Sequence, residues 1–152
     1  MRFFTCILFL LWFNFASGNN DFSRRLDKIQ QNISLSDKQS TAEAELKEII
    51  TEISALPESK DNTKLYLKAR LLFAQLKNYQ LKYDESITIL IEIVNLSVRN
   101  KLPEYTYEAY LGIAMIKEFY HDYGDARKYL DQAKALAVSN GLDSVMSNYF
   151  VR

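Results

Sequence analysis

The chain has 152 residues, with nineteen Lys and Arg against nineteen Asp and Glu, and a single Cys, a single Trp and a single His. Balanced charge leaves no net field that favours nucleic acid or an anionic membrane, and one cysteine excludes a disulfide framework. The length suits one domain able to bury a real core.

Residues 1–18, "MRFFTCILFLLWFNFASG", read as a signal peptide: basic Arg2, an apolar run from Phe3 to Phe13, then Ala16-Ser17-Gly18 with cleavage after Gly18. Those eleven apolar residues rise only about 16 Å as a helix, too short for a hydrocarbon core of about 30 Å. Cys6 sits too deep in the apolar run to be a lipidation cysteine. Cleavage removes Cys6, Trp12 and Arg2, leaving nineteen acids against eighteen bases and no thiol for a disulfide, a nucleophile or a metal. The expected location is the periplasm or the exterior, by a Sec-type signal peptide, with no stable membrane span after cleavage.

Residues 19–60 contain two helical patterns, "DFSRRLDKIQQNI" and "STAEAELKEIITEISAL", with "SLSDKQ" between them and "PESKDN" after. Glu43, Glu45, Glu48 and Glu52 share a helical face, which reads as solvated surface with Lys47 as a local partner. Residues 61–101 form a second pair. Asp61 or Asn62 caps its first helix, which runs to about Tyr79, and a second helix covers about Asp84 to Arg99 before Asn100 ends it. The block "ITILIEIVNL" is β-branched enough to suggest a strand, but its length and its place in the repeat described below decide for helix.

Residues 102–141 make a third pair. Pro103 and Glu104 suit a first turn, and Tyr107, Tyr110, Leu111 and Ala114 recur at helical spacing up to about Tyr120. Gly124 is expected to permit the turn, with a second helix from about Asp125 carrying Tyr129, Leu130, Ala133, Leu136 and Ala137 on one face. Asn140-Gly141 supplies a left-handed stop. Residues 142–152, "LDSVMSNYFVR", place Val145, Met146, Tyr149 and Phe150 on one face of a terminal or truncated helix. The sequons Asn32-Ile33-Ser34 and Asn95-Leu96-Ser97 carry meaning only in a eukaryotic secretory route.

The second and third pairs are copies. Shifted by forty residues, Leu71–Leu102 falls without a gap on Leu111–Leu142, with nine of thirty-two positions identical, among them Ala74 and Ala114, Lys77 and Lys117, Tyr83 and Tyr123, Leu90 and Leu130, and Asn100 and Asn140. Ordinary composition gives about two. Forty residues before Ser86 stands Leu46, large where the other copies are small, so the first pair reads as a degenerate capping unit.

These residues resemble tetratricopeptide repeats. The family's small, large and aromatic positions are filled by Ala114, Tyr123, Ala126, Leu130 and Ala133, and earlier by Ala74, Tyr83, Ser86, Leu90 and Ile93. Tyr110 and Arg70 stand at its Trp-type position, His121 and Leu81 stand where it has a glycine, and its terminal proline is absent. The resemblance covers Asn62 to Leu142 well and Asp21 to Leu56 poorly. It implies an all-α fold, a right-handed α-solenoid of antiparallel helix pairs, in which small side chains let helix backbones approach.

It also implies a non-enzymatic scaffold that binds a protein or peptide on its concave wall. Family groove positions fall on Lys68, Leu71, Gln75, Asn78 and Tyr79, then Glu108, Leu111, Met115, Glu118 and Phe119, of which Leu71 and Leu111 serve packing between pairs as readily. Glu108 and Glu118 on that wall leave no match for the paired cations that clamp a terminal carboxylate in some family members. The alternative implied reading is the truncated N-terminal sensory module of a bacterial signalling protein, a histidine kinase or a LuxR-type regulator. Catalysis finds little support. His121 is the lone imidazole, reads as an exposed turn residue, and leaves neither a zinc set nor a triad, and no glycine-rich phosphate loop is present, so no cofactor or metal is expected.

Overall fold

A computed structural model describes residues 20–142. The expected leader (1–18) and all but the first residue of the terminal segment (142–152) lie outside the described residues. The described chain is all helix, with no strand: α1 (20–32), α2 (Gln39–Ser54), α3 (Lys60–Tyr79), α4 (Tyr83–Arg99), α5 (Pro103–Phe119) and α6 (Tyr123–Asn140). The β-branched block Ile87–Leu96 lies wholly within α4, because its Ser86, Ile89, Leu90, Ile93 and Ser97 bury one helical stripe.

From α2 onward each helix packs against the next, and α3 also touches α5. One core runs from Leu26 and Ile33 through Leu46, Ile49, Leu67 and Leu76 to Ile93, Ile113 and Ile116. A smaller cluster of Tyr107, Leu111, Ala133 and Ala137 joins α5 to α6. Small residues set the approach where the repeat placed them. Ala74, Ala114, Ala126 and Ser86 are all at most 2% exposed, and the Ser86 hydroxyl donates to the Ala74 carbonyl at 2.8 Å.

Chain reversal explains the forty-residue period more finely than the sequence does. Leu81, Lys101, His121 and Gly141 have φ of 60°, 54°, 58° and 64°, one left-handed residue every twenty positions. The ends of α3, α4, α5 and α6 close the same way. The amides of Lys82, Leu102, Asp122 and Leu142 donate to the carbonyls of Lys77, Ser97, Lys117 and Ala137 at 2.8 to 3.0 Å, the six-to-one bond of a Schellman end. The matched Asn100 and Asn140 add a side-chain bond each, to the Leu96 and Leu136 carbonyls at 2.9 Å.

Gly124 is therefore not the turn residue. It lies inside α6, has no positive φ, and a Cβ there would meet nothing within 4 Å. Two helix starts also differ from expectation. Ser59 caps α3, its Oγ accepting from the Asn62 amide at 3.1 Å, while Asn62 itself is buried and donates to the Pro57 carbonyl at 2.8 Å. Asp122 caps α6 by accepting from the Asp125 amide at 3.3 Å, so the helix starts at Tyr123.

The acidic face of α2 is not mere solvated surface. Arg25 of α1 gathers Glu45, Glu48 and Glu52 at 3.9, 3.3 and 3.1 Å. Glu43 meets Lys47 at 2.8 Å and the nearly buried Lys77 at 3.1 Å, and accepts from Gln80 at 3.0 Å. Lys77 completes its shell with Glu85 at 3.0 Å and the Phe73 ring face at 5.0 Å. The third pair repeats the theme, with Lys117 holding Asp122 at 3.1 Å and Asp125 at 3.6 Å, which accounts for the kept Lys and acid of the repeat.

Two predictions follow from the helix ends and from Lys77. Gly141→Ala costs about 1 kcal/mol because a Cβ is strained at positive φ. His121→Gly gains about 0.5 kcal/mol, and Gly124→Ala is neutral or gains a few tenths. Urea unfolding of the three variants checks the order. The Lys47, Gln80 and Lys77 hydrogen bonds pull the Glu43 carboxyl from 4.5 down to about 2. Its contribution is present above the unfolded value and is lost as pH falls from about 4.5 to about 2. Glu43→Ala, which leaves Lys77 with one acid, destabilises by about 2 to 4 kcal/mol near neutral pH, and the gap from the parent chain closes across that acid window in melts followed by circular dichroism.

Candidate functional site: a groove between α3 and α5

Matched turns bring α3 and α5 side by side, and the space between them is an open groove of about 420 Å³. That volume falls in the range of ligand-sized clefts. Its floor is apolar: Leu72, Ala74, Leu90 and Ile116 are each at most 4% exposed. Gly112 lines it too, and a Cβ there would sit 3.0 Å from Leu90 Cδ1, so glycine lets α5 settle onto α4. Gln30 of α1 borders the groove, and Glu104, Tyr105 and Glu108 come from α5.

Six of the eight polar, aromatic and Met positions expected on the wall meet here: Lys68, Gln75, Asn78 and Tyr79 from α3, Glu108 and Met115 from α5. Leu71 lines the groove as well, half-buried against the core. Glu118 and Phe119 do not join them. Both are exposed, and Phe119 turns away to lie on Tyr83 at 4.4 Å between ring centroids, with Tyr120 edge-on to Tyr83 at 5.6 Å. The reason is position along the helix rather than phase. Glu118 and Phe119, three and four residues beyond Met115, keep its face but stand at the last turn of α5, where Tyr83 of the preceding pair draws the Phe119 ring onto itself. Leu111 is buried between α5 and α6, so its role is packing.

Sequence reasoning missed Glu104, Tyr105 and Gln30. Glu104 was read as a first-turn acid, and its spacing of four from Glu108 is the signal that puts both on one face. Lys68 reaches across to Asp27 of α1 at 2.7 Å. Burial raises the Glu108 pKa above the usual 4.5, the charge of Glu104 adds to the rise, and Lys68 opposes it. Tyr105 is pushed up to about 12 by burial and by both glutamates, so its phenol stays neutral.

Ser86, the one hydroxyl at the floor, is committed to the Ala74 carbonyl. His121 lies in the exposed α5–α6 turn, 2.9 Å from the Tyr123 hydroxyl and outside the groove lining. Among the described residues no group of three His, Cys, Asp or Glu is placed to hold a metal ion, and no helix is long and apolar enough to cross a membrane.

Because the folded chain binds the Glu108 proton more tightly than the unfolded chain, this carboxylate costs stability above its folded pKa, and the cost vanishes below about 4.5. Glu108→Gln therefore raises Tm near neutral pH and leaves it unchanged at about pH 3.5. Paired thermal melts at the two pH values test this.

No protein-family model, no curated protein and no solved structure matches this chain.

Proposed function

We propose that the chain is an exported, non-enzymatic α-solenoid of antiparallel helix pairs, built like the tetratricopeptide arrays it resembles, that holds an extended segment of a protein partner in the α3–α5 groove. The observation that carries this reading is the convergence of Lys68, Gln75, Asn78, Tyr79, Glu108 and Met115 around one groove with an apolar floor and a polar rim. A fold that only needed stability would close such a cleft. Here Tyr79 and Met115 stay 41% and 55% exposed, at the open edge where an incoming side chain gains apolar contact. The exposed amides of Gln75 and the half-buried Asn78 offer donors and acceptors to a peptide backbone.

The register of the two copies adds support. Leu90, Ser86 and Ala74 of the second pair are buried, and Gly112 of α5 seats against Leu90, an arrangement compatible with stacked like units. Their shared period places α3 and α5 as equivalent walls, and equivalent walls present side chains at equal intervals to an extended ligand.

Tyr79→Ala and Met115→Ala each weaken capture of the partner about tenfold, the range of a single anchor side chain. Phe119→Ala, on the aromatic cluster outside the groove, leaves it within about twofold. Affinity capture from the exported fraction, quantified against the parent chain, makes the comparison. Equal capture by both groove variants overturns the reading.

A further inference from the structure

The groove is not electrically neutral. Its charged lining is Lys68, Glu104 and Glu108. Lys68 is already engaged by Asp27, with Nζ to Oδ1 at 2.7 Å. Among the described residues, no Lys or Arg nitrogen lies within 4.0 Å of either Glu104 or Glu108. The two glutamates are one helical turn apart, a spacing at which like charges repel. The charges acting on Glu108 are Glu104 on its own helix and Lys68 on α3, the latter itself paired with Asp27 of α1. The neighbouring Tyr105 phenol on α5, Gln30 of α1, and Ser86 and Leu90 of α4 complete this part of the groove lining. Lys68 offsets part of this charge but is itself paired with Asp27, so the end stays net negative, and burial makes two adjacent carboxylates there costly to keep. A cation from outside relieves both the burial and the repulsion.

The other end is different. Tyr79 and Met115 make an exposed apolar edge, and no acid or base lines it. Seven residues of helix separate Glu108 from Met115, about 10 Å along the axis. An extended peptide in the polyproline II conformation covers that distance in about three residues, at about 3.1 Å each, and its three-residue turn returns the third position to the same face.

We propose that the groove takes an extended peptide with an arginine or lysine against Glu104 and Glu108 and an apolar side chain three positions away against Tyr79 and Met115. This rests on the groove being the docking surface. Arginine fits both carboxylates through its planar fork, and lysine serves as a point charge between them. The bound cation is lost on acidification, because Glu108 takes up its proton at a higher pH than an ordinary glutamate.

The test is selection of random phage-displayed decapeptides on the full chain near neutral pH, followed by titration calorimetry with the winning peptides. Winners are expected to carry Arg or Lys three positions from Leu, Ile, Met or Phe. The isosteric double variant Glu104→Gln with Glu108→Gln weakens them at least tenfold, replacing the peptide's cation by glutamate abolishes binding, and affinity falls on acidification, beginning above the pH at which an ordinary glutamate protonates. Winners without a cation, or winners indifferent to the double variant but weakened by Met115→Ala, overturn the charge assignment and leave the groove in place. Failure to select any peptide, or selection of peptides that bind Tyr79→Ala and Met115→Ala as well as the parent chain, overturns the groove itself.

Discussion

The architecture depends on where the chain is allowed to reverse. A left-handed residue at 81, 101, 121 and 141 ends each helix by the same carbonyl pattern, so α3 to α6 are nearly the same length and begin again after three-residue turns. Three of these four residues carry a Cβ in a conformation that disfavours it. The strain, on the order of 1 kcal/mol each, persists because closing the carbonyls and packing the following helix over-determine the turn. Without that regular return, α3 and α5 would not lie in register, and no groove would form between them.

Charge is arranged to serve the same geometry. Lys77, at 4% exposure, sits where α2, α3 and α4 meet, and it is tolerable there because two carboxylates and an aromatic face replace its water. Lys117 stands at the matching place one pair later, with its acids on the α5–α6 turn (Asp122) and in the first turn of α6 (Asp125). Arg25 does the equivalent task between α1 and α2 with three glutamates. These ion pairs tie neighbouring helices at their edges, while the apolar stripe between them supplies most of the driving force.

The groove stands apart from this economy of paired charge. The ions that tie neighbouring helices have partners of opposite charge, whereas Glu104 and Glu108 line a cleft beside a neutral phenol and a lysine already paired with Asp27. The apolar edge at Tyr79 and Met115 and the acidic end at Glu108 give the cleft two ends of unlike chemistry.

The sequence alone determined that the chain is helical, where the small residues fall and that two units repeat, because periodicity and a forty-residue shift are written in residue identity: Ala74 and Ala114, Lys77 and Lys117, Asn100 and Asn140. It pointed to most of the groove through wall positions transferred at the same register. It did not reveal the reversal points, since Leu, Lys and His carry no left-handed signature and Gly124 offered a false one. Nor did it reveal that Phe119 leaves the wall for Tyr83, that Glu43 reaches Lys77, or that Glu104 joins Glu108 over a cleft. Those outcomes are decided by which helix lies across from which, a matter of distance between residues far apart in the chain, and only the packed tertiary structure sets those distances.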